Sequence, residues 1–338
     1  MYIKKLSVTN FGGIATYETL LQPGVNVFVG ETGAGKTSIL KAAATALSPI
    51  VQRATGELFR GRSIEPWEVR HSTAMLADRP KSRYAFPSVC SADVVSGDKE
   101  EVLMVIKASS SAVVSSWVNG QTLEVRKKRT VRGPLTVFYD EDCGDAFLKR
   151  PTEGKYTGYT LWYRASLYEK DLYDWILNEV VDRVGREGTE RRLTDGLQCL
   201  ETLLKRALPA GFESVTINDK RRSVLVQYKD RLQFLNEMSR GDRFVILLAA
   251  DLIQRIEWLS HSLTPDFDKA EGVVILDDAD QWLSSRRLWR LLKGLTDTFP
   301  QVQFIVSVRT AFPELAETAG DVHQIVLEGL TDTVTEIR

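Results

Sequence analysis

Two short stretches carry residue types suited to phosphate chemistry, and they lie far apart in the chain. The first, GETGAGKTS at Gly30 to Ser38, fits G-x-x-x-x-G-K-[ST] at every fixed position. Glycines let successive backbone N–H groups turn inward around an anion, and a helix beginning near Lys36 adds its positive end. Gly30, Glu31, Thr32, Gly33, Ala34, Gly35, Lys36, Thr37 and Ser38 would then cradle a nucleotide. In that role Lys36 reaches the β- and γ-phosphates and the Thr37 hydroxyl ligates Mg²⁺. A turn that merely ends a strand would match the bare pattern in about one chain of this length in a hundred.

The second stretch, VVILDDADQWL at Val273 to Leu283, runs an aliphatic segment straight into paired carboxylates. A strand buried on both faces of a parallel sheet reads as a continuous apolar run, and ligands of such sheets sit beyond the strand C-termini. Asp277 would emerge beside the phosphate loop and hold Mg²⁺, directly or through water. Asp278 would lie next to the γ-phosphate, where a carboxylate can orient or deprotonate a water. Aspartate also ends strands as a plain turn former, so this reading leans on the loop upstream.

The elements needed to position these residues are present. Tyr2 to Val8 alternates as a strand, Ile14 to Leu20 follows as a ribbon partner, and Val25 to Val29 is a short buried strand feeding the glycine-rich loop and an alanine-rich helix to about Leu47. From about Pro49 to Gly133 alternating segments with turns at Ser96-Gly97 and Asn119-Gly120 predict a β-rich insertion. Leu135 to Tyr139 reads as another buried strand. Helices are expected over SLYEKDLYDWILNEVVDRV, over Leu193 to Ala207 and over Phe244 to Leu259, with a hairpin through Lys220-Arg221-Arg222 between the last two. The end of the chain alternates strand and helix: Val273 to Leu276, Arg286 to Phe299, Val302 to Val308, a short helix near Pro313, and Gln324 to Leu327. That order predicts an α/β fold with a mostly parallel sheet.

Bulk properties bound the remaining classes. With 44 basic and 45 acidic residues in a chain of 338, no global field favours nucleic acid or membrane. The longest apolar run, Phe244 to Ala250, falls short of the ~20 residues a membrane span needs. Cys90, Cys143 and Cys199 have neither zinc-site spacing nor the number for a disulfide framework, which points to a reducing, cytoplasmic setting. His71, His261 and His323 stand apart from any metal-ligand spacing. The aromatics Trp162, Tyr163, Tyr168, Tyr173 and Trp175 do not hold one helical face, so core packing is expected of them rather than base stacking. The basic run Arg126-Lys127-Lys128-Arg129 with Arg132, and Lys220-Arg221-Arg222, read first as charged hairpin tips and second as nucleic-acid contacts.

IKKLSVTNFGGI, the phosphate loop, EMSRGDRFVILLAADLIQRI and GVVILDDADQWLSSRRLWRLLKGLTDTFPQVQFIVSV together resemble the ABC-type ATPases of the SMC/RecF class. More narrowly they resemble the small, arm-less ATP-binding proteins of bacterial anti-phage systems, Septu-like and retron-associated ones among them. The resemblance covers both ends of the chain. It implies an ABC-type P-loop head with a mixed or parallel sheet, a β-rich insertion, and a short helical insertion in place of a coiled coil. The corresponding division is 1–50 and 231–338 for the two parts of the ATPase head, 51–134 for the β-rich insertion and 135–230 for a helical lid with its hairpin.

The resemblance also assigns roles. Met238-Ser239-Arg240-Gly241-Asp242 stands where the family has its Leu-Ser-x-Gly signature. Ser239 and Gly241 would contact the γ-phosphate of ATP bound to a second subunit, which implies a homodimer sandwiching ATP and Mg²⁺; a plain helix cap at Ser239 is the simpler reading. A protein effector, a nuclease or toxin, is the implied partner. Several departures stand out: Asp278 replaces the usual glutamate, Arg309 the switch histidine and Gly12 an arginine after Asn10-Phe11, while Trp282 occupies a place where a polar switch residue is expected. No glutamine loop is evident, Gln52 being one candidate. Slow hydrolysis, or none, follows from the shorter acid, since a misplacement of about 1 Å costs on the order of a hundredfold in rate.

Overall fold

The computed structural model describes residues 1–76, 79–126, 131–144, 157–184, 195–260, 265–311 and 322–327, with backbone alone at 73–76, 79–82 and 179–184. Lys127, Lys128, Arg129, His261 and the helix expected near Pro313 lie outside the described residues. Along the chain run β1 (Tyr2–Phe11), β2 (Ile14–Leu20), β3 (Val25–Val29), α1 (Lys36–Ala46), α2 (Ser48–Thr55), β4 (His71–Leu76), β5 (Arg79–Tyr84), β6 (Ser88–Ser96), β7 (Lys99–Lys107), β8 (Ser115–Val118), β9 (Gln121–Thr122) and β10 (Leu135–Tyr139). After them come α3 (Glu169–Val184), α4 (Asp195–Ala207), β11 (Phe212–Asn218), β12 (Ser223–Tyr228), β13 (Leu232–Phe234), α5 (Arg240–Ser260), β14 (Gly272–Leu276), α6 (Ser285–Thr298), β15 (Val302–Val308) and β16 (Val322–Val326).

These elements divide into two compact units. The first comprises Met1–Phe138, Glu271–Asp278 and Val302–Arg338, and the second Tyr139–Ala270 with Ala279–Gln301. In the first unit a five-stranded sheet has the order β10-β14-β15-β3-β16. The pairs β14–β15, β15–β3 and β3–β16 are all parallel. Every residue of β3, β14 and β15 is buried, which is why these strands read as mostly apolar runs, interrupted by the buried polar residues Asn26, Gln303 and Ser307. A six-stranded antiparallel sheet, β2-β1-β6-β7-β8-β9, joins the N-terminal ribbon to much of the β-rich stretch.

Helix α1 packs against β1, β6 and β7 of the antiparallel sheet and against β15 of the parallel one. A helix held between two sheets needs small side chains, and Ala42, Ala43, Ala44 and Ala46 are all buried there. From the sequence, the helix ends near Leu47 and a β-rich insertion begins at about Pro49. The chain instead resumes at once as α2, with Pro49 in its first turn, where the missing N–H removes no helical hydrogen bond.

In the second unit α5 packs against α3 and α4, and α4 against α6 and β11. Its apolar residues form the helical stripe expected of it, with Arg255 buried among them. That guanidinium is satisfied throughout its reach: Nε donates to Asp251 (2.7 Å) and Nη1 to the carbonyls of Gly158 (2.9 Å) and Thr160 (3.0 Å). The three-stranded sheet β11-β12-β13 carries Lys220-Arg221-Arg222 at its hairpin tip, with Arg221 lying 4.8 Å over the Phe234 ring. Trp162, Tyr173 and Trp175 are core residues, as expected, and Tyr163 is exposed. Among the described residues no helix is long and apolar enough to cross a membrane.

Candidate nucleotide site

Strand register brings the two distant stretches to one edge of the parallel sheet. Val308 of β15 pairs with Val29 of β3, and Leu276 of β14 pairs with Val306 of β15. The residues that follow these strands, Gly30, Asp277 and Arg309, therefore emerge together beyond the strand C-termini, where ligands of such sheets bind.

The phosphate loop is held open by its own geometry. Gly33 and Gly35 adopt φ values of 90° and 91°, in the left-handed region that glycine enters without a Cβ penalty. Gly30 is required for a different reason: a Cβ there would lie 2.8 Å from the Leu327 carbonyl oxygen. Glu31, Thr32 and Gly33 are exposed, Ala34 is buried, and Gly35, Thr37 and Ser38 are half-buried. At the start of α1 no side chain caps the helix and no acidic residue stands in the first turn, which leaves its amide groups and dipole available to an anion. Lys36 is buried, and its Nζ donates to the carbonyls of Gly30 (2.6 Å) and Glu31 (3.0 Å), so the amine is folded back into the loop.

Asp277 is buried at the end of β14. Its Oδ1 accepts a 2.6 Å hydrogen bond from the Ser307 hydroxyl. Its Oδ2 is buried with no hydrogen bond of ordinary geometry among the described residues. Burial pushes the carboxyl above its ordinary value, against the hydroxyls of Ser307 and Thr37, which pull it down. Thr37 thus lies near enough to act on the Asp277 carboxyl. Asp278 is half-buried with φ 45°, and its N–H donates to the same Ser307 oxygen at 2.8 Å. Arg309 is exposed at the end of the central strand.

Ser307 escaped the sequence reading. It is a fully buried hydroxyl at the next-to-last position of VQFIVSV, on the strand that separates β3 from β14. The available signal was a small polar residue near the end of a mostly aliphatic run. Gly12, where the resemblance has arginine, has φ 56°, and a Cβ there would stand 2.9 Å from Ser38 Oγ. Gln52 is buried in α2, its Nε2 donating to the Leu58 carbonyl at 2.6 Å.

Ser239 and Gly241 belong to the second unit, at the start of α5. The Ser239 hydroxyl accepts from the Asp242 N–H (3.1 Å) and donates to the Asp242 carboxylate (2.7 Å), which is a helix cap closed in both directions. Arg287 also binds the Asp242 carboxylate. Gly241 has no room for a side chain, since a Cβ would meet the Trp282 carbonyl oxygen at 2.8 Å. Trp282 is buried, stacked on Phe244 with centroids 5.4 Å apart, and Arg240 lies 4.1 Å over its ring. Trp282 is thus the floor beneath the start of α5.

Mg²⁺ and a nucleoside triphosphate fit the residues of the first unit. The orphaned Asp277 Oδ2, the adjacent Thr37 hydroxyl, the uncapped start of α1 and a buried lysine within one loop form a donor set for a hard cation and its anion. No family model matches the chain, and no curated protein does. Among solved structures, the SMC head domain from Thermotoga maritima matches over 100% of both chains with TM-score 0.52 and 14% identity. The Smc head from Pyrococcus furiosus, solved with an extended coiled coil and bound to the C-terminal domain of ScpA, covers 99% of this chain and 96% of its own, with TM-score 0.58 and 13% identity. The recombination mediator protein RecF with ATPγS covers 96% and 95%, with TM-score 0.51 and 15% identity. At such identities the likeness is one of fold. The chain shares the α/β fold of the SMC head domains and of RecF.

Proposed function

We propose that this protein is an ATP-binding ABC-type head that dimerises around ATP and Mg²⁺ and couples binding, or slow hydrolysis, to control of a partner effector. The observation that carries the reading is the buried, unpartnered Oδ2 of Asp277 beside the Thr37 hydroxyl. A buried carboxylate oxygen without a donor is costly unless a cation completes it. Bound Mg²⁺ would supply charge neutralisation at the β- and γ-phosphates. Thr37 and Asp277 would hold that ion, and the backbone from Gly30 to Ser38 would wrap the phosphates. Lys36 would exchange its two carbonyl partners for phosphate oxygens. Asp278 would orient the attacking water, and Arg309, always charged, would approach the γ-phosphate from the end of β15.

On a second copy, Ser239 and Gly241 would close the sandwich, with the Asp242 carboxylate retained by Arg287 so that the Ser239 hydroxyl can turn to phosphate. An effector such as a nuclease or toxin, and a role in prokaryotic defence or genome maintenance, extend the same reading. Protein partnership is supported by the ScpA-bound heads that share this fold. The division into head parts 1–50 and 231–338, a β-rich insertion 51–134 and a helical lid 135–230 belongs to the proposal, as does a cytoplasmic setting, which the three free cysteines support.

The test is equilibrium ATP binding and turnover for wild type, Lys36→Ala and Asp278→Asn, with oligomeric state measured in each nucleotide condition. Lys36→Ala should lose at least tenfold in ATP affinity. Asp278→Asn should bind as wild type, turn over at least tenfold more slowly and accumulate as dimer. ATP affinity unchanged by Lys36→Ala would overturn the site. A second reading, a scaffold that uses ATP as a structural ligand, is favoured by the short acid at 278; its signature is binding and assembly with no turnover in wild type. A RecF-like factor acting directly on DNA shares the fold and would show DNA affinity that ATP modulates.

A further inference from the structure

We propose that Ser307 is a positioning residue that sets both acids of the site with one hydroxyl. The inference rests on the nucleotide reading above and assigns a role that no motif marks. Ser307 is fully buried, and its Oγ has two partners on adjacent residues of another strand end: it donates to Asp277 Oδ1 at 2.6 Å and accepts the Asp278 N–H at 2.8 Å. A hydroxyl has one proton to give, so this pairing uses its donor completely and fixes its direction.

Two consequences follow. The bond to Oδ1 locks the Asp277 carboxylate in a single orientation and leaves Oδ2, the oxygen without a partner, as the one presented to a cation. The bond from the Asp278 amide holds a residue at φ 45°, in a region an L-residue enters only under constraint. Asp278 is one methylene shorter than glutamate, so its backbone conformation decides where its carboxylate starts. Ser307 thus makes the turn that presents a short acid. Its place on β15, between the strand of the phosphate loop and the strand of the acids, lets it do so from a rigid element.

The experiment compares wild type, Ser307→Ala and Ser307→Thr, the last retaining a hydroxyl on a strand that favours β-branched residues. ATP affinity is measured by calorimetry with Mg²⁺ and with EDTA, and amide hydrogen exchange is followed at Asp278 in the ligand-free protein. Ser307→Ala should lose about tenfold in affinity with Mg²⁺ and nothing with EDTA, and its Asp278 amide should exchange at least tenfold faster. Ser307→Thr should restore both. An equal Mg²⁺-dependent gain in wild type and Ser307→Ala, with both folded by circular dichroism, overturns the inference while ATP binding stands. Loss of affinity in EDTA as well, unrescued by threonine, shows a merely structural role and overturns it too. Wild type that fails to bind ATP under either condition sinks the nucleotide reading, and this inference with it.

Discussion

Gly12 shows how backbone geometry overrides the residue that a resemblance favours. An arginine there would have to adopt φ 56° and place its Cβ 2.9 Å from Ser38 Oγ, at the first turn of the helix that opens the phosphate site. Introducing arginine with Gly12→Arg should therefore destabilise the fold by about 1–2 kcal/mol, measured by urea denaturation, rather than improve nucleotide binding. The candidate residues Gly30, Lys36, Thr37 and Asp277 were legible because phosphate and metal chemistry would demand their types at their spacing. Ser307 was not, because its role arises from strand adjacency, and adjacency between β14 and β15 is invisible in a linear pattern.

At the scale of elements, buried strands were the easiest to read, since β3, β14 and β15 are covered on both faces and leave no polar alternation. Helix α2 fell within the stretch expected to be β-rich; Pro49 sits at its start, where proline is well tolerated. That helix is clamped to β7 by a two-pronged pair, Arg53 to Glu101, with both N–O distances 2.8 Å. The guanidinium holds the Glu101 carboxyl below its ordinary 4.5, so the pair contributes stability above that value and loses it as pH falls through the lowered one. Because Glu101 is partly exposed, Glu101→Gln should cost only about 0.5–1 kcal/mol at pH 7, a difference that vanishes in acid denaturation series below the lowered value. Trp282 is a stronger strut. Replacing it with alanine removes the stack on Phe244 and the platform under Arg240, and should cost about 3 kcal/mol in denaturant melts.

For the molecule as a whole, the fold class followed from the order of strands and helices, whereas the pairing of the N-terminal ribbon with β6 did not, because antiparallel partners far apart in sequence leave no periodic trace. The three thiols illustrate how burial acts across the chain. Burial pushes Cys199 up to about 12, with Glu257 and Asp268 adding to it, and drives Cys90 and Cys143 higher still. Native protein at pH 8 should accordingly react with a thiol reagent at least a hundredfold more slowly than denatured protein. Assembly can be probed separately from binding: Ser239→Arg, placed at the start of α5, should leave ATP affinity within about twofold and abolish ATP-dependent dimers in sedimentation experiments. Helix α1 has a mechanical consequence of its own. With one sheet pressed on each side and alanine at the contacts, it has no wet flank along which to tilt, and close-packed interiors transmit displacement instead of absorbing it. A tug at its first turn is felt by β1, β6, β7 and β15, so even a sub-ångström adjustment around an incoming anion reaches both layers.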